Sequence, residues 1–114
     1  SALIETLVGV DWSHRPERRD RTIQMVMALS RRCRTIRALG SAALALAYVV
    51  CGRVQLYLNL GLYPWDICAA AAILPEVGGA VVRPDGSAWQ FGEPALLVGH
   101  PEVLAAAVEA LASG

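Results

Sequence analysis

Residues 40–72, GSAALALAYVVCGRVQLYLNLGLYPWDICAAAA, read as helix, strand, helix, and that order decides the fold class. Gly40-Ser41 opens the first helix with Ser41 at the N-cap. Ala42 to Val50 is apolar on every side, so this helix is expected to be covered on both faces. Gly52 can end it in the left-handed conformation. Val54 to Leu60 reads as a strand and Gly61 as the turn after it. Pro64 suits the first position of a second helix, running through Asp66, Ile67 and the alanines to about Val77. Pro75 should distort the end of that helix, and Gly78-Gly79 stops it. The longest apolar run, Ala42 to Cys51, falls well short of the roughly 20 residues of a membrane span, so no membrane partner is expected.

The same alternation extends in both directions. Ala2 to Val8 reads as a strand, Asp11 to Arg15 as a polar loop, and Pro16-Glu17 as the first turn of a helix. Ile23, Val26, Met27 and Ser30 fall on one face of that helix, and Arg31 and Arg32 suit its negative pole. Thr35 to Leu39 is a second strand. Downstream, Ala80 to Arg83 and Ala95 to Gly99 are strands, the first followed by a Pro84-Asp85-Gly86 turn. A final helix begins at Pro101, with Glu102 near its positive end and Leu104, Ala107, Val108 and Leu111 facing inward. The expected architecture is an α/β layered domain, a mixed sheet of about five strands packed by helices, as one domain over residues 1–114.

Composition narrows the function classes. Of 114 residues, 55% are apolar and 18% charged, which excludes intrinsic disorder. Ten basic residues, all arginine, balance ten acidic ones, so neither a nucleic-acid surface nor a polybasic membrane anchor is expected. The absence of lysine excludes a Schiff-base lysine among these residues. Cys33, Cys51 and Cys68 form no CxxC pair. Cys51 and Cys68 sit in apolar stretches and are expected to be reduced core thiols. With no charged-then-apolar leader at Ser1, a cytoplasmic location is the expectation.

Asp66 is the main candidate for chemistry. It falls in the first turn of a helix, between Trp65 and a run of small residues, where the positive pole favours a carboxylate and equally a phosphate or a hydrated cation. The simpler local reading is that Asp66 caps its own helix and Trp65 fills the core. Gly40-Ser41-Ala42-Ala43 opens a second helix with free N–H groups that could meet an anion or a sugar hydroxyl, but the motif is weak and a plain N-cap is the better local reading. Ser41 lies outside any GxSxG elbow. His14 and His100 lack zinc-ligand spacing and read as loop residues. Arg18, Arg19 and Arg21 read as a solvated face, Glu76 as a local cap or ion-pair partner, and Trp12 and Trp89 as isolated rings without a stacking platform.

Four segments together carry a family resemblance: Arg37-Ala38-Leu39-Gly40-Ser41-Ala42-Ala43-Leu44, Gly52-Arg53, Pro64-Trp65-Asp66-Ile67-Cys68-Ala69-Ala70 and Glu76-Val77-Gly78-Gly79. Their order and spacing resemble the carboxy-terminal half of the inositol monophosphatase family, Mg2+-dependent, lithium-sensitive phosphomonoesterases. The W-D-x-x-A motif with an upstream R-x-x-G-S-A-A is the specific part. The resemblance implies that Asp66 ligates a catalytic metal, one of about two or three Mg2+ ions. It implies that Gly40, Ser41 and Ala42 line the hydroxyl groups of a phosphorylated polyol or sugar. Asn59 falls where inositol-specific members carry a glutamate, which opens the substrate to other sugar or polyol phosphates. Pro75 and Val77 depart from the family's glutamate-alanine-glycine-glycine ending. The other metal ligands, a glutamate and a D-P-x-D-G-[TS] loop, belong to an N-terminal half absent from these residues, so the chain alone should be inactive. The resemblance also implies a homodimer, for which no residue here speaks.

Two readings therefore stand: part of a metal-dependent phosphatase, or a non-catalytic module that uses the same fold for association. A D-P-x-D-G-[TS] loop encoded upstream favours the first, a native start codon at Ser1 the second. A nucleotide-binding domain is weaker, because no glycine-rich phosphate loop follows a strand.

Overall fold

The computed structural model describes residues 4–11 and 15–113. In chain order the elements are β1 (Leu7–Val10), α1 (Pro16–Ser30), β2 (Thr35–Ala38), α2 (Ala42–Val50), β3 (Leu56–Asn59), α3 (Pro64–Ile73), β4 (Ala80–Val82), β5 (Leu96–Gly99) and α4 (Pro101–Ser113). A 3-10 turn, Leu74–Val77, follows α3 directly. It begins one residue before Pro75, whose ring cannot continue an α-helix, and Gly78 ends it at φ +79°.

The strands form one five-stranded sheet in the order β2-β1-β3-β5-β4. β2, β1 and β3 run parallel, while β5 is antiparallel to both β3 and β4, so the sheet is mixed as expected. β3 (LYLN) and β5 (LLVG) are buried on both faces, which is why their apolar runs do not alternate with polar residues. The pleat divides them between two cores. Leu56, Leu58 and Leu97 meet Met25 and Leu29 of α1 and Leu104 and Ala107 of α4. Tyr57, Leu96 and Val98 meet Ala45, Leu46 and Val49 of α2 and Ile67 and Ala70 of α3. The sheet is thus the middle of three layers.

Several expectations need correction. The first strand lies at Leu7–Val10, later than Ala2–Val8, and Ile4 and Glu5 are in a turn; Ala2 and Leu3 lie outside the described residues. Gly9 lies inside β1, where an added Cβ would stand 2.7 Å from Leu39 Cδ1 and 3.4 Å from the Tyr57 ring. The buried face of α1 is Thr22, Met25 and Leu29, while Ile23 and Met27 are exposed. Apolar residues lie all along residues 23–29, and Thr22 could turn inward because its hydroxyl donates to Arg18 O at 2.7 Å.

α2 is not covered on both sides. Ala45, Leu46 and Val49 face the sheet, but Ala43, Leu44 and Ala47 face outward with nothing over them among the described residues. Cys51 and Cys68 are exposed rather than core thiols, because Cys51 follows the last turn of α2 and Cys68 lies on the outer stripe of α3 with Trp65 and Ala72. Trp65 is 72% exposed and fills no core. Val108 and Leu111 of α4 are half-buried, with Ala110 taking the deeper place. Among the described residues, no helix is long and apolar enough to cross a membrane.

Candidate active site

The parallel half of the sheet sets where a site can form. β1 continues into α1 on one face of the sheet, while β2 and β3 continue into α2 and α3 on the other. Chains leaving neighbouring strands toward opposite faces open a crevice at the carboxyl ends of those strands, the usual ligand position in open α/β sheets. Here that edge carries Asp11 after β1, Gly40-Ser41-Ala42 after β2, and Asn59 at the end of β3, with Asp66 in the first turn of α3. Gly40, Ser41, Ala42, Asn59 and Asp66 thus all come from one edge of the sheet although 26 positions separate the first from the last.

Each group has a local reason to be there. Gly40 takes φ +75°, a conformation costly for other residues, and lets the chain turn from β2 into α2. Ser41 is the N-cap, its Oγ accepting from Leu44 N at 3.3 Å. The N–H groups of Ala42 and Ala43, in the first turn of α2, have no intrahelical acceptor and are available to a ligand oxygen. Ala42 opens the helix with a side chain too small to cover them.

Asn59 is buried, and both ends of its amide are engaged. Nδ2 donates to Tyr57 Oη at 2.9 Å, and Oδ1 accepts from Gly61 N at 2.8 Å. Tyr57 in turn donates to Asp11 Oδ2 at 2.7 Å, and Asp11 Oδ1 accepts from Gly40 N at 2.6 Å. Burial drives the Tyr57 hydroxyl far above the ordinary tyrosine range, and the Asp11 and Asp66 carboxylates push the same way against the Asn59 amide. Tyr57 therefore stays protonated and serves as a donor to Asp11.

Asp66 does not cap its helix. The N-cap of α3 is Tyr63, with no side-chain cap bond. The Asp66 backbone N–H donates to Tyr63 O at 3.0 Å, and among the described residues its half-buried carboxylate accepts no hydrogen bond. Tyr63 and Trp65 stack beside it, centroids 4.7 Å apart and planes within 4°.

A hard divalent cation takes oxygen ligands, commonly one or two carboxylates with water and phosphate oxygens. Asp66 fits as one such ligand. Among the described residues no three His, Cys, Asp or Glu side chains gather at one point, so these residues do not complete a shell. His100 is exposed at the start of α4, and His14 and Trp12 lie outside the described residues. Trp89 is not isolated: it packs edge-on against Phe91 at 6.2 Å and donates from Nε1 to Glu93 O at 3.0 Å.

Asp11 and Tyr57 are the residues that sequence reasoning missed. From the sequence Asp11 reads only as loop, and Tyr57 only as strand. A usable signal existed, because the residue just after a parallel strand is placed at the ligand edge of such a sheet.

The model of the inositol monophosphatase family matches residues 1–113. An inositol monophosphatase of Dictyostelium discoideum is 33% identical over 108 residues, covering 90% of this chain and 38% of that protein. The extragenic suppressor protein suhB of Bartonella henselae superposes with a TM-score of 0.88 at 26% identity, over 98% of this chain and 43% of that one. The inositol monophosphatase of Anabaena gives 0.86 at 30%, over 96% and 44%. The chain spans about two fifths of the length of these relatives.

Proposed function

The chain belongs to the inositol monophosphatase family, and from that membership we propose that it is the C-terminal part of a Mg2+-dependent phosphomonoesterase acting on a polyol or sugar phosphate. The observation that carries this reading is the Asp66 carboxylate, half-buried at the ligand edge and without a hydrogen-bond acceptor role in its own helix. A carboxylate held by the positive end of α3 yet not spent on a cap suits a metal ligand.

In this reading Asp66 would supply one carboxylate ligand to a cation. Bound Mg2+ supplies Lewis acidity toward a phosphoryl oxygen and toward water. The first-turn N–H groups after Gly40 and Ser41 donate to the hydroxyl oxygens of the substrate, and Ala42 leaves room for the ring to approach. Asn59, its amide satisfied internally, forms an uncharged floor where a carboxylate would select for inositol. Uncharged, that floor suits a wider set of sugar and polyol phosphates. The remaining metal ligands come from an N-terminal domain outside these 114 residues, and the reduced cysteines agree with a cytoplasmic enzyme.

The test is phosphate release by the complete protein with Mg2+ and a panel of sugar and inositol phosphates. Asp66→Ala should lower turnover more than about 100-fold, beyond the loss typical of an outer-shell partner. Near-normal turnover would remove Asp66 from the metal site. The 114-residue chain alone should release nothing measurable, and release from it would overturn the account of missing ligands.

A second reading, association without catalysis, is favoured by the exposed aromatic pair Tyr63–Trp65 and by Leu44 and Ile73 on the same outer layer. It expects self-association together with no phosphate release from the complete protein on any substrate of the panel.

A further inference from the structure

We infer that Asp11 is the positioning residue of this site: from the end of β1 it fixes both the Gly40–Ser41 turn after β2 and the Tyr57–Asn59 pair on β3. The inference rests on the phosphatase reading for its consequence, although its geometry is independent of it.

Two observations converge. The first concerns the turn. A Cβ added to Gly40 would find nothing within 4 Å, and the residue is exposed, so packing does not hold the main chain there. What reaches the Gly40 N–H is Asp11 Oδ1 at 2.6 Å, a charge-assisted bond across 29 positions of sequence. The second concerns β3. The Tyr57 ring is fully buried, so its hydroxyl needs an acceptor inside the protein, and Asp11 Oδ2 provides it at 2.7 Å. The same oxygen of Tyr57 accepts from Asn59 Nδ2, and Asn59 then holds Gly61 N. One carboxylate therefore anchors an unbroken chain of hydrogen bonds from Gly40 to Gly61, spanning three strand ends. The Asp11 main chain is itself tied to the centre of the sheet, with Asp11 N donating to Leu58 O at 3.4 Å and Leu39 N to Val10 O at 3.3 Å.

The chemistry requires an anion. Gly40 N–H and Tyr57 O–H are both donors, and a carboxylate accepts from both. An asparagine at position 11 offers one oxygen and one amide nitrogen, so it can serve only one of them. The turn that lines the substrate's hydroxyls and the Asn59 floor would then lose their common reference. The phosphate end, held from α3, would not.

The experiment uses the complete protein and two substrates: a polyol phosphate, and phenyl phosphate, which has no hydroxyl to contact the turn. Asp11→Asn should raise KM for the polyol phosphate about tenfold, or roughly 1.4 kcal/mol, with a smaller fall in kcat and KM for phenyl phosphate changed less than about twofold. In Asp11→Ala, which leaves Gly40 N–H no side-chain acceptor at position 11, its amide proton should move upfield. Tyr57→Phe keeps the Gly40 bond and should leave that resonance in place, with an intermediate KM, and it serves if Asp11→Asn does not fold. An equal loss on both substrates, or an unmoved Gly40 resonance in Asp11→Ala, would overturn the inference. If the complete protein releases phosphate from no substrate of the panel, the phosphatase reading falls separately, and the Gly40 resonance still decides whether Asp11 holds the turn.

Discussion

Glu93 shows how one carboxylate can organise a surface segment. Arg83 Nε donates to both of its oxygens, at 3.1 and 2.9 Å, and Gln90 N donates to it at 2.6 Å, drawing together the two ends of residues 83–93. The Arg83 guanidinium, helped by the Gln90 N–H, holds the Glu93 carboxyl below the usual glutamate range. A carboxyl lowered in the folded state stabilises above its unfolded value, and that contribution fades as pH falls through the folded one. Both side chains are more than a third or about a third exposed, so solvent screens the pair and the effect is modest. Glu93→Gln should lower the thermal midpoint slightly at neutral pH, and the gap to wild type should close as pH falls through and below the lowered range of the folded carboxyl. A gap that persists there would mean packing rather than charge. Asp66 belongs at this scale too. Its place in the first turn of a helix was legible from Pro64 and the alanines. That it does not cap the helix was not, because capping depends on backbone angles at Tyr63 rather than on residue type.

At the scale of elements, α1 separates pattern from placement. Its limits follow from Pro16 at the start and the arginine pair at the end. Its inward face could not be read off, because Ile23, Met25, Val26, Met27 and Leu29 supply apolar groups on most sides. Leu29 is fully buried against the sheet, while Ile23 is 46% exposed. Leu29→Ala should therefore cost about 3 kcal/mol and Ile23→Ala less than about 0.5 kcal/mol, as measured by denaturant unfolding of the two variants. Equal losses would restore the face first expected. α2 makes the complementary point: an all-apolar helix implies cover on every side only if the cover is present among the residues described.

For the molecule as a whole, the outer layer of α2 and α3 is unusually apolar. Leu44 is 44% exposed, Tyr63 57%, Trp65 72% and Ile73 45%. Such surface favours association when left open. The 114-residue chain should self-associate, with a mean mass in size-exclusion light scattering that rises with concentration; Trp65→Ser should reduce it. A monomer at all concentrations would show that these side chains do not act as a patch.

The alternation of elements, the helix limits set by Pro16, Ser41, Gly52, Pro64 and Gly78, and the family motif around Asp66 were written in the sequence alone, because each depends on local backbone preference or on residues close together in the chain. The strand order, the inward face of α1, the open side of α2 and the Asp11–Tyr57–Asn59 network were decided only by the tertiary structure. Asp11 and Tyr57 lie 46 positions apart, and no local preference records which carboxylate will meet which buried hydroxyl when parallel strands come side by side.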